Sequence, residues 1–340
     1  MRPFFHPRLI NGPFGDPGLY IPFSFENRAI LVDVGQVNSL SPGDLMKVEY
    51  LLISHTHMDH FIGFDHLLRA FLGREKTLQV IGPEGIIDHV HAKLMGYTWN
   101  LVDNYPASLA VQVTEIHENE RLLQQFLCHR RFIPQASPEV LPPAAILRPA
   151  TDFTIEHQIL DHGIPCLGFT IKEPFHIHIL KEGLTRLKLV PGPWIKKFKQ
   201  ALQEGKSPDT PIEAASLIEK KSISIALSEL AHTTARISRG QKITYIADAA
   251  FTSTNIEKIL LLADGSDILF IEAAFLAQDG AIAAAKSHLT AAQAGWLAAR
   301  AGVERFTLFH FSPRYTSKKD FFQREALAAY EKERLRAGRS

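Results

Sequence analysis

Four side chains that can bind a metal ion lie within the six residues 55–60, directly after an apolar run. In the stretch 51–64 ("LLISHTHMDHFIGF") they are His55, His57, Asp59 and His60. Neutral imidazole nitrogens suit zinc and similar ions, and carboxylate oxygens suit harder cations. Four donors in so short a segment are more than one tetrahedral ion takes, so the spacing predicts two ions side by side. A polar loop between a strand and a helix is the alternative.

Further donors stand where three other apolar runs end. His162 follows the first of these runs, Asp248 ends the second and His310 ends the third. Taken singly, a capped turn explains His162, a helix N-cap explains Asp248, and a hydrogen-bonded buried imidazole explains His310. Because open sheets place their sites at the carboxyl ends of strands, the joint pattern predicts that these donors meet those of residues 55–60.

Short β-rich runs alternate with helical patterns along the chain, which predicts a layered α/β domain. The predicted strands are 28–35, 48–54, 77–82, 242–248, 267–273 and 305–311. Helical periodicity covers 64–73 and 289–302, and a charged helix closes the chain at about 319–337. Thr290 and Gln293 form a capping-box pattern at the start of the second helix.

Composition narrows the function classes. The 340 residues carry a net charge of +1, which excludes a strongly basic protein that coats nucleic acid. A polyanionic partner would therefore bind only at a local basic patch. Two cysteines, Cys128 and Cys166, are too few for a disulfide framework or a cysteine-rich zinc site. Because no apolar run reaches the roughly 18 residues of a membrane span, we expect a soluble cytoplasmic protein.

The donor order, with His162, Asp248 and His310 downstream of the 55–60 cluster, resembles the metallo-β-lactamase superfamily of binuclear metallohydrolases. Residues 287–315 ("SHLTAAQAGWLAARAGVERFTLFHFSPRY") are similar to the corresponding region of ribonuclease Z, the tRNA 3′-processing endonuclease. The resemblance extends from Asp33 to about residue 315. It implies one α/β domain over 1–340, a four-layer αββα sandwich with a projecting basic arm.

The resemblance also implies a ligand set for two divalent ions. In this set His55, His57 and His162 bind one ion. The other ion is bound by Asp59, His60 and His310, and Asp248 bridges both ions. Zinc is expected, although manganese and iron accept the same nitrogen and oxygen donors. Such a pair lowers the pKa of a shared water and supplies a nucleophile near neutral pH.

Further roles are implied for four side chains near these donors. Asp59 would also orient the attacking water, and His288 would protonate the leaving oxygen or hold a phosphate oxygen. Glu272 would fix the tautomer of His288, and Asp33 would orient a ligand histidine. The alternatives are an exposed loop histidine for His288, a surface carboxylate for Glu272 and a turn residue for Asp33.

An irregular interval at 181–213, rich in proline, glycine and lysine, predicts an inserted flexible arm. Residues 181–199 contain six basic side chains against one acidic. The stretch "GLTRLKLVPGPWIKKFKQ" is similar to the tRNA-gripping arm of ribonuclease Z. That likeness implies RNA contacts from Lys188, Pro191, Gly192, Pro193, Lys196, Lys197 and Lys199. A solvated amphipathic helix is the alternative, and Trp194 and Phe198 either pack the arm or stack on a base.

Some positions depart from the family pattern. Ala247 and Ala249 flank Asp248 where ribonuclease Z carries glycine and threonine, and isoleucine precedes Glu272 in place of histidine. A second His-x-His, His176 and His178, has no further donors nearby and predicts a strand with one polar face. These departures leave every predicted ligand in place but alter groups expected near the phosphate.

The resulting expectation is a metal-dependent phosphodiesterase that cleaves the 3′ trailer of precursor tRNA and that forms the homodimer implied by the family. Two alternatives remain. The first is a hydrolase of cyclic nucleotides or other small phosphodiesters on the same fold, and the second is a non-catalytic RNA-binding protein.

Overall fold

The computed structural model describes residues 3–218, 221–316 and 318–338. The chain divides into two compact units. Unit 1 comprises Met1–Ala145, Glu156–Thr170 and Ile243–Ser340, and unit 2 comprises Ile146–Ile155 and Ile171–Lys242. The interval 181–213, predicted to be an arm inserted in one domain, lies inside unit 2 as part of a larger folded body.

The regular elements of the described residues are numbered in chain order. The strands are β1 (Arg8–Leu9), β2 (Leu19–Pro22), β3 (Ala29–Val32), β4 (Val48–Leu52), β5 (Lys76–Pro83), β6 (Leu109–Ile116), β7 (Arg121–Leu127), β8 (Glu139–Leu141), β9 (Ile146–Leu147), β10 (Thr154–Asp161), β11 (Pro165–Lys172), β12 (Phe175–Ile179), β13 (Pro211–Ala215), β14 (Ser222–Ala226), β15 (Ala235–Arg239), β16 (Lys242–Ile246), β17 (Ile268–Glu272) and β18 (Phe306–Phe309). The helices are α1 (Pro42–Lys47), α2 (Met58–Phe61), α3 (Phe64–Phe71), α4 (Ile86–Met95), α5 (Lys181–Arg186), α6 (Trp194–Gln203), α7 (Leu227–Thr234), α8 (Ser253–Ala263), α9 (Gly280–Ala285), α10 (Ala291–Arg300) and α11 (Lys319–Ala337).

The first sheet of unit 1 runs in chain order from β1 to β8. Its centre, β3 to β6, is parallel, and the flanking pairs are antiparallel. On β3, Ala29 and Leu31 join a core with α1, α3 and α4, while Ile30 and Val32 are buried on the opposite face. Burial of both faces explains why the strands of this parallel centre read as near-continuous apolar runs.

The second sheet of unit 1 has the order β18-β17-β16-β11-β10. Strands β16, β17 and β18 are parallel, so their carboxyl ends lie along one edge. Helices α8, α10 and α11 cover this sheet through an apolar cluster of their own. Two buried sheets, each with helices on one face, give the α/β sandwich that the sequence predicted.

Unit 2 is built from β9, two antiparallel strand pairs and three helices. Strand β12 pairs with β15, and β13 pairs with β14. Helices α5, α6 and α7 enclose a small core that includes Leu184, Trp194, Phe198 and Leu230. The prediction that His176 and His178 lie on a strand is confirmed by β12.

The strong apolar patterns predict their elements well. Each of the six predicted strands is present, and α3, α10 and α11 occupy the predicted helical segments. The capping box at α10 is confirmed, because the Thr290 hydroxyl accepts from the Gln293 amide and the Gln293 side chain accepts from the Thr290 amide. The described residues contain no helix that is long and apolar enough to cross a membrane.

Candidate metal centre

The connection between β4 and α2 and the first turn of α2 carry the first four candidate ligands. His55 and His57 are two residues apart in an extended segment, and their rings lie on the same side with centroids 4.4 Å apart. His57 is the N-cap residue of α2, so Asp59 and His60 follow in the first turn. His60 turns back over His55, with ring centroids 4.1 Å apart. His55 and His60 are fully buried.

Asp248 occupies the centre of the candidate site. Its Oδ2 atom lies 3.7 Å from His55 Nε2, 3.5 Å from His60 Nε2 and 3.5 Å from His162 Nε2. Its Oδ1 atom lies 2.9 Å from His310 Nδ1. The parallel order of β16 and β18 accounts for this convergence, because Asp248 and His310 follow the carboxyl ends of those strands.

The seven predicted ligands form two donor groups with no shared member. His55, His57, His162 and Asp248 each offer an atom within 4.8 Å of the others, and so do Asp59, His60 and His310. A third group of close donors in the described residues, Asp248, Glu272, His288 and His310, shares Asp248 with the first and His310 with the second. His310 Nε2 lies 3.1 Å from Asp59 Oδ2. The structure therefore brings together all seven side chains, although the first and the last of them, His55 and His310, are 255 positions apart in the sequence.

Buried polar atoms without hydrogen-bond partners at the centre show that these residues fit metal cations. Among the described residues they are the ring nitrogens His55 Nε2, His60 Nε2 and His310 Nδ1 and the carboxylate oxygen Asp248 Oδ1. A buried polar atom without a partner costs about 1–3 kcal/mol. A metal ion beside each nitrogen removes that cost, and imidazole with carboxylate is a donor set that zinc accepts.

Electrostatics at the centre favour positive charge. Burial opposes protonation of His60, but the Asp248 and Asp33 carboxylates outweigh burial and raise the pKa of His60 to about 10. Burial, reinforced by His60, lowers the pKa of His55 to about 2. The Asp248 carboxyl is buried, yet His310 and His60 hold its pKa well below the usual range. A bound cation would take the place of the proton on His60 Nε2, since that atom holds one or the other.

Asp33 lies behind His60 and is fully buried. Its Oδ2 atom is 2.8 Å from His60 Nδ1 and accepts from the Ser54 hydroxyl at 2.8 Å, while its Oδ1 accepts from the Ser54 amide at 2.7 Å. With Nδ1 held by Asp33, His60 directs Nε2 toward Asp248. This is the geometry expected of a carboxylate that orients a ligand histidine.

Glu272 and His288 form a pair next to Asp248. His288 Nδ1 lies 3.2 Å from both oxygens of Glu272. Glu272 is fully buried and also accepts from the backbone amides of Ala249, Ala274 and Leu289. Burial lowers the pKa of His288, but Glu272 outweighs it, so that the pKa of His288 is raised. Glu272 is therefore not a surface carboxylate, because it ties together the loops that carry Asp248 and His288.

Asn255 is a supporting residue that the sequence did not single out. Its amide nitrogen donates to the carbonyls of Asp161 and Ala250, both at 2.8 Å, and its oxygen accepts from the Asp161 amide at 2.9 Å. These bonds fasten the loop of His162 to the loop of Asp248. The sequence signal was limited to a polar residue three positions after the Thr252 cap of α8.

The predicted RNA-contacting side chains lie in unit 2. Lys188, Lys196 and Lys197 are exposed, whereas Lys199 is half-buried. The charge of Lys199 opposes the burial that raises the pKa of the Glu173 carboxyl. Pro191 and Pro193 are exposed and Gly192 is half-buried. Trp194 and Phe198 are buried in the core of unit 2, so of the two expectations for them packing is correct and base stacking is wrong.

His176 and His178 also have structural partners in unit 2. His176 Nδ1 lies 2.7 Å from Glu173 Oε1, and His178 Nε2 lies 3.0 Å from the Ser238 hydroxyl. Neither histidine belongs to a group of three close metal donors in the described part of the chain. The second His-x-His is therefore part of a hydrogen-bonded strand.

Comparison with known proteins gives relatives along most of the chain. No family model matches. A ribonuclease Z from Deinococcus radiodurans is 29% identical over 289 residues, which are 84% of this chain and 83% of that protein. A ribonuclease Z from Thermococcus sibiricus is 29% identical over 310 residues, 87% of this chain and 80% of that protein.

Solved structures show the same fold at lower identity. The metallo-β-lactamase fold protein YhfI from Bacillus subtilis superposes with a TM-score of 0.53 at 15% identity, covering 96% of this chain and 94% of that one. Human tRNase Z, short form, superposes with a TM-score of 0.50 at 17% identity, covering 92% of each chain. The chain therefore has the metallo-β-lactamase fold and is a homologue of the ribonuclease Z proteins.

Proposed function

We propose that the protein is a metal-dependent phosphodiesterase that cleaves precursor tRNA on the 3′ side of the acceptor stem. The observation that carries this proposal is the convergence of seven donor side chains on Asp248 at the strand ends of unit 1. Ribonuclease Z relatives match 84% and 87% of this chain, which supports the same proposal.

The two donor groups support the proposed ligand roles. His55, His57 and His162 would hold one divalent ion, Asp59, His60 and His310 the other, and Asp248 would contact both. When bound, the pair supplies an activated water and neutralises charge on the phosphate in the transition state. Zinc is proposed as the resident metal because five of the seven donors are imidazoles.

The remaining side chains handle protons and position the phosphate. Asp59 is half-buried and its carboxyl pKa is lowered to about 2, since His310 and His60 outweigh burial; it stays ionised and accepts a hydrogen bond from the attacking water. Because Glu272 occupies Nδ1 of His288, Nε2 is the atom of His288 that is left for substrate. As water attacks phosphorus and the bond from phosphorus to the tRNA 3′ oxygen breaks, His288 Nε2–H donates its proton to that oxygen.

The arm would hold the RNA. Lys188, Lys196 and Lys197 are exposed in unit 2 and offer charges to phosphate groups, while the buried Trp194 and Phe198 keep the segment folded. Lys199 contributes less, since it lies close to the Glu173 carboxylate. Substitution of these lysines should weaken RNA binding and leave the metal centre intact, which would separate RNA binding from catalysis.

The assembly and location are further parts of the proposal. A homodimer would cover the exposed apolar side chains Ile62, Tyr97, Leu101 and Tyr105, which lie together in one groove of unit 1. Sedimentation analysis at micromolar concentration should then give twice the chain mass of 38.0 kDa. The proposed reaction belongs in the compartment where tRNA is made, which in a bacterium or archaeon is the cytoplasm.

The test is an incubation of purified protein with 3′-extended precursor tRNA and zinc or manganese. Wild type should release the trailer and leave a 3′-hydroxyl on the tRNA, whereas His57→Ala should not. A variant of an exposed histidine outside the centre, His66→Ala, should cleave as wild type does. If wild type left the tRNA intact but hydrolysed bis(p-nitrophenyl) phosphate, the small-phosphodiester alternative would replace the nuclease.

A further inference from the structure

We propose that Tyr245 is a positioning residue for the candidate metal centre, acting through the carboxylate of Asp33 on the ligand His60. This inference rests on the metal-binding part of the proposed function and does not depend on which phosphodiester is cleaved. Tyr245 lies on β16, three positions before Asp248, and it is fully buried.

The hydroxyl of Tyr245 completes the set of donors around Asp33. It donates to Asp33 Oδ2 at 2.9 Å, across 212 positions of the chain. The same oxygen accepts from the Ser54 hydroxyl and faces His60 Nδ1, both at 2.8 Å. All four side chains are fully buried, so no water takes over these bonds within the folded protein.

Three donors around one carboxylate oxygen fix the orientation of the Asp33 side chain. With Asp33 held in this position, its Oδ2 atom meets Nδ1 of His60, and Nε2 of His60 faces Asp248 and the metal position. Without the Tyr245 hydroxyl, the Asp33 carboxylate loses one of the hydrogen bonds that fix its orientation.

The ring of Tyr245 makes a second link to the same donor group. It stacks on Phe309 with centroids 4.9 Å apart and an interplanar angle of 21°. Phe309 is the last residue of β18 and directly precedes His310. Tyr245 thus contacts Asp33, which faces the ligand His60, and Phe309, which precedes the ligand His310. Tyr245→Phe removes only the contact with Asp33.

The experiment measures metal affinity rather than turnover. Zinc is titrated into metal-free wild type, Tyr245→Phe and Tyr20→Phe in competition with a chromophoric chelator, and cobalt is titrated in parallel to follow its visible absorption. Tyr20 is the matched control because it is equally buried and its hydroxyl donates to Asp44 O at 3.1 Å, outside the site. Loss of a partner that orients a ligand typically weakens metal binding about tenfold or more.

Tyr245→Phe should bind one of two ions about tenfold more weakly and show altered cobalt absorption, with the other ion and the Tyr20→Phe protein unchanged. Two ions bound as tightly as in wild type would overturn the proposal. An equal loss in Tyr20→Phe would overturn it too, since a general loss of core packing would then be the cause. If Tyr245→Phe does not fold, as judged by circular dichroism, Ser54→Ala removes another donor from Asp33 Oδ2, and unchanged binding of both ions there would overturn the proposal.

These outcomes are distinct from a failure of the proposed function. A protein that cuts no tRNA but binds two metal ions would fail the nuclease test and still show the predicted loss in Tyr245→Phe. A protein that binds no metal would fail both tests.

Discussion

At the scale of single residues, the candidate centre depends on ligands that the sequence reveals and on supports that it does not. The ligands His55 to His60 are visible because four donors crowd one strand end. Asn255 and Tyr245 are not visible, because the groups they bind are 94 and 212 positions away and only the folded chain brings them together. Sequence spacing predicts donors near the end of a strand, whereas long-range hydrogen bonds require the tertiary structure.

The supporting role of Asn255 predicts a loss of stability in Asn255→Asp. This change keeps the oxygen that accepts from the Asp161 amide but removes both donations to the carbonyls of Asp161 and Ala250. Both carbonyls keep a backbone donor, Ala250 N for Asp161 and Thr252 N for Ala250. Because each lost hydrogen bond costs about 0.5–1.5 kcal/mol, urea unfolding of the metal-free protein should show a loss of about 1–3 kcal/mol. The exposed Asn104→Asp serves as control, and equal stability of the two variants would contradict the assigned role.

At the scale of elements, parallel strands explain why separate segments meet at one site. β16, β17 and β18 end at the same edge, which places Asp248, Glu272 and His310 together. The sequence predicted these strands because they are short apolar runs. The division into two units was not predicted, because unit 2 has weaker apolar patterns and its core is closed by contacts between separate elements.

Helices α10 and α11 pack so closely that Gly295 is required at their contact. A Cβ atom on Gly295 would lie 2.0 Å from the carbonyl oxygen of Ala326. Gly295→Ala should therefore lower the unfolding free energy, although alanine favours helix by about 1 kcal/mol over glycine. In Gly280→Ala the new methyl group meets no atom within 4 Å, so thermal unfolding should show a neutral or stabilising effect there. A stabilised Gly295→Ala protein would show that the helices pack less closely than described.

The exposed lysines of α6 allow a test of the arm. Lys196→Ala combined with Lys197→Ala should weaken precursor-tRNA binding and reduce the slope of log affinity against log salt by roughly 1.5, because about 0.7–0.9 counterions are released per phosphate contact. Turnover of a small phosphodiester should stay unchanged. The control pair Lys319→Ala and Lys332→Ala changes two exposed lysines of α11. An equal effect of both pairs on tRNA binding would show that the arm has no special role.

At the scale of the whole molecule, charge is distributed unevenly. Residues 171–242, most of unit 2, contain thirteen basic and seven acidic residues, a net +6 in a chain of net +1, so the rest of the chain carries −5. The proposed RNA substrate would therefore be attracted to unit 2 and repelled by the remainder unless cations occupied the centre. The composition predicted only a local basic patch, and the structure shows that the patch belongs to a folded unit.

Unit 2 also contains a buried carboxyl that should make stability depend on pH. Burial raises the pKa of Glu173 from the usual 4.5 to about 7; the Gln241 amide and Lys199 oppose this shift, and Asp152 reinforces it. The Glu173 carboxyl also faces the His176 ring. Between these two pH values the folded state binds more protons than the unfolded state, so stability should fall as pH rises through that window.

Glu173→Gln should remove this dependence. Urea unfolding between pH 4.5 and 7.5 should give a flatter stability profile for Glu173→Gln than for wild type, whereas the exposed Glu182→Gln in the same unit should follow wild type. Identical slopes for Glu173→Gln and wild type would show that the carboxyl ionises normally in the folded protein.

The most direct test of the metal centre is X-ray diffraction recorded at the zinc absorption edge from crystals of the zinc-loaded protein. The proposed two-ion centre predicts two anomalous peaks about 3.5–4 Å apart. One should lie among His55, His57 and His162, the other among Asp59, His60 and His310, with Asp248 in contact with both. Peaks elsewhere, or no peak between these side chains, would contradict it.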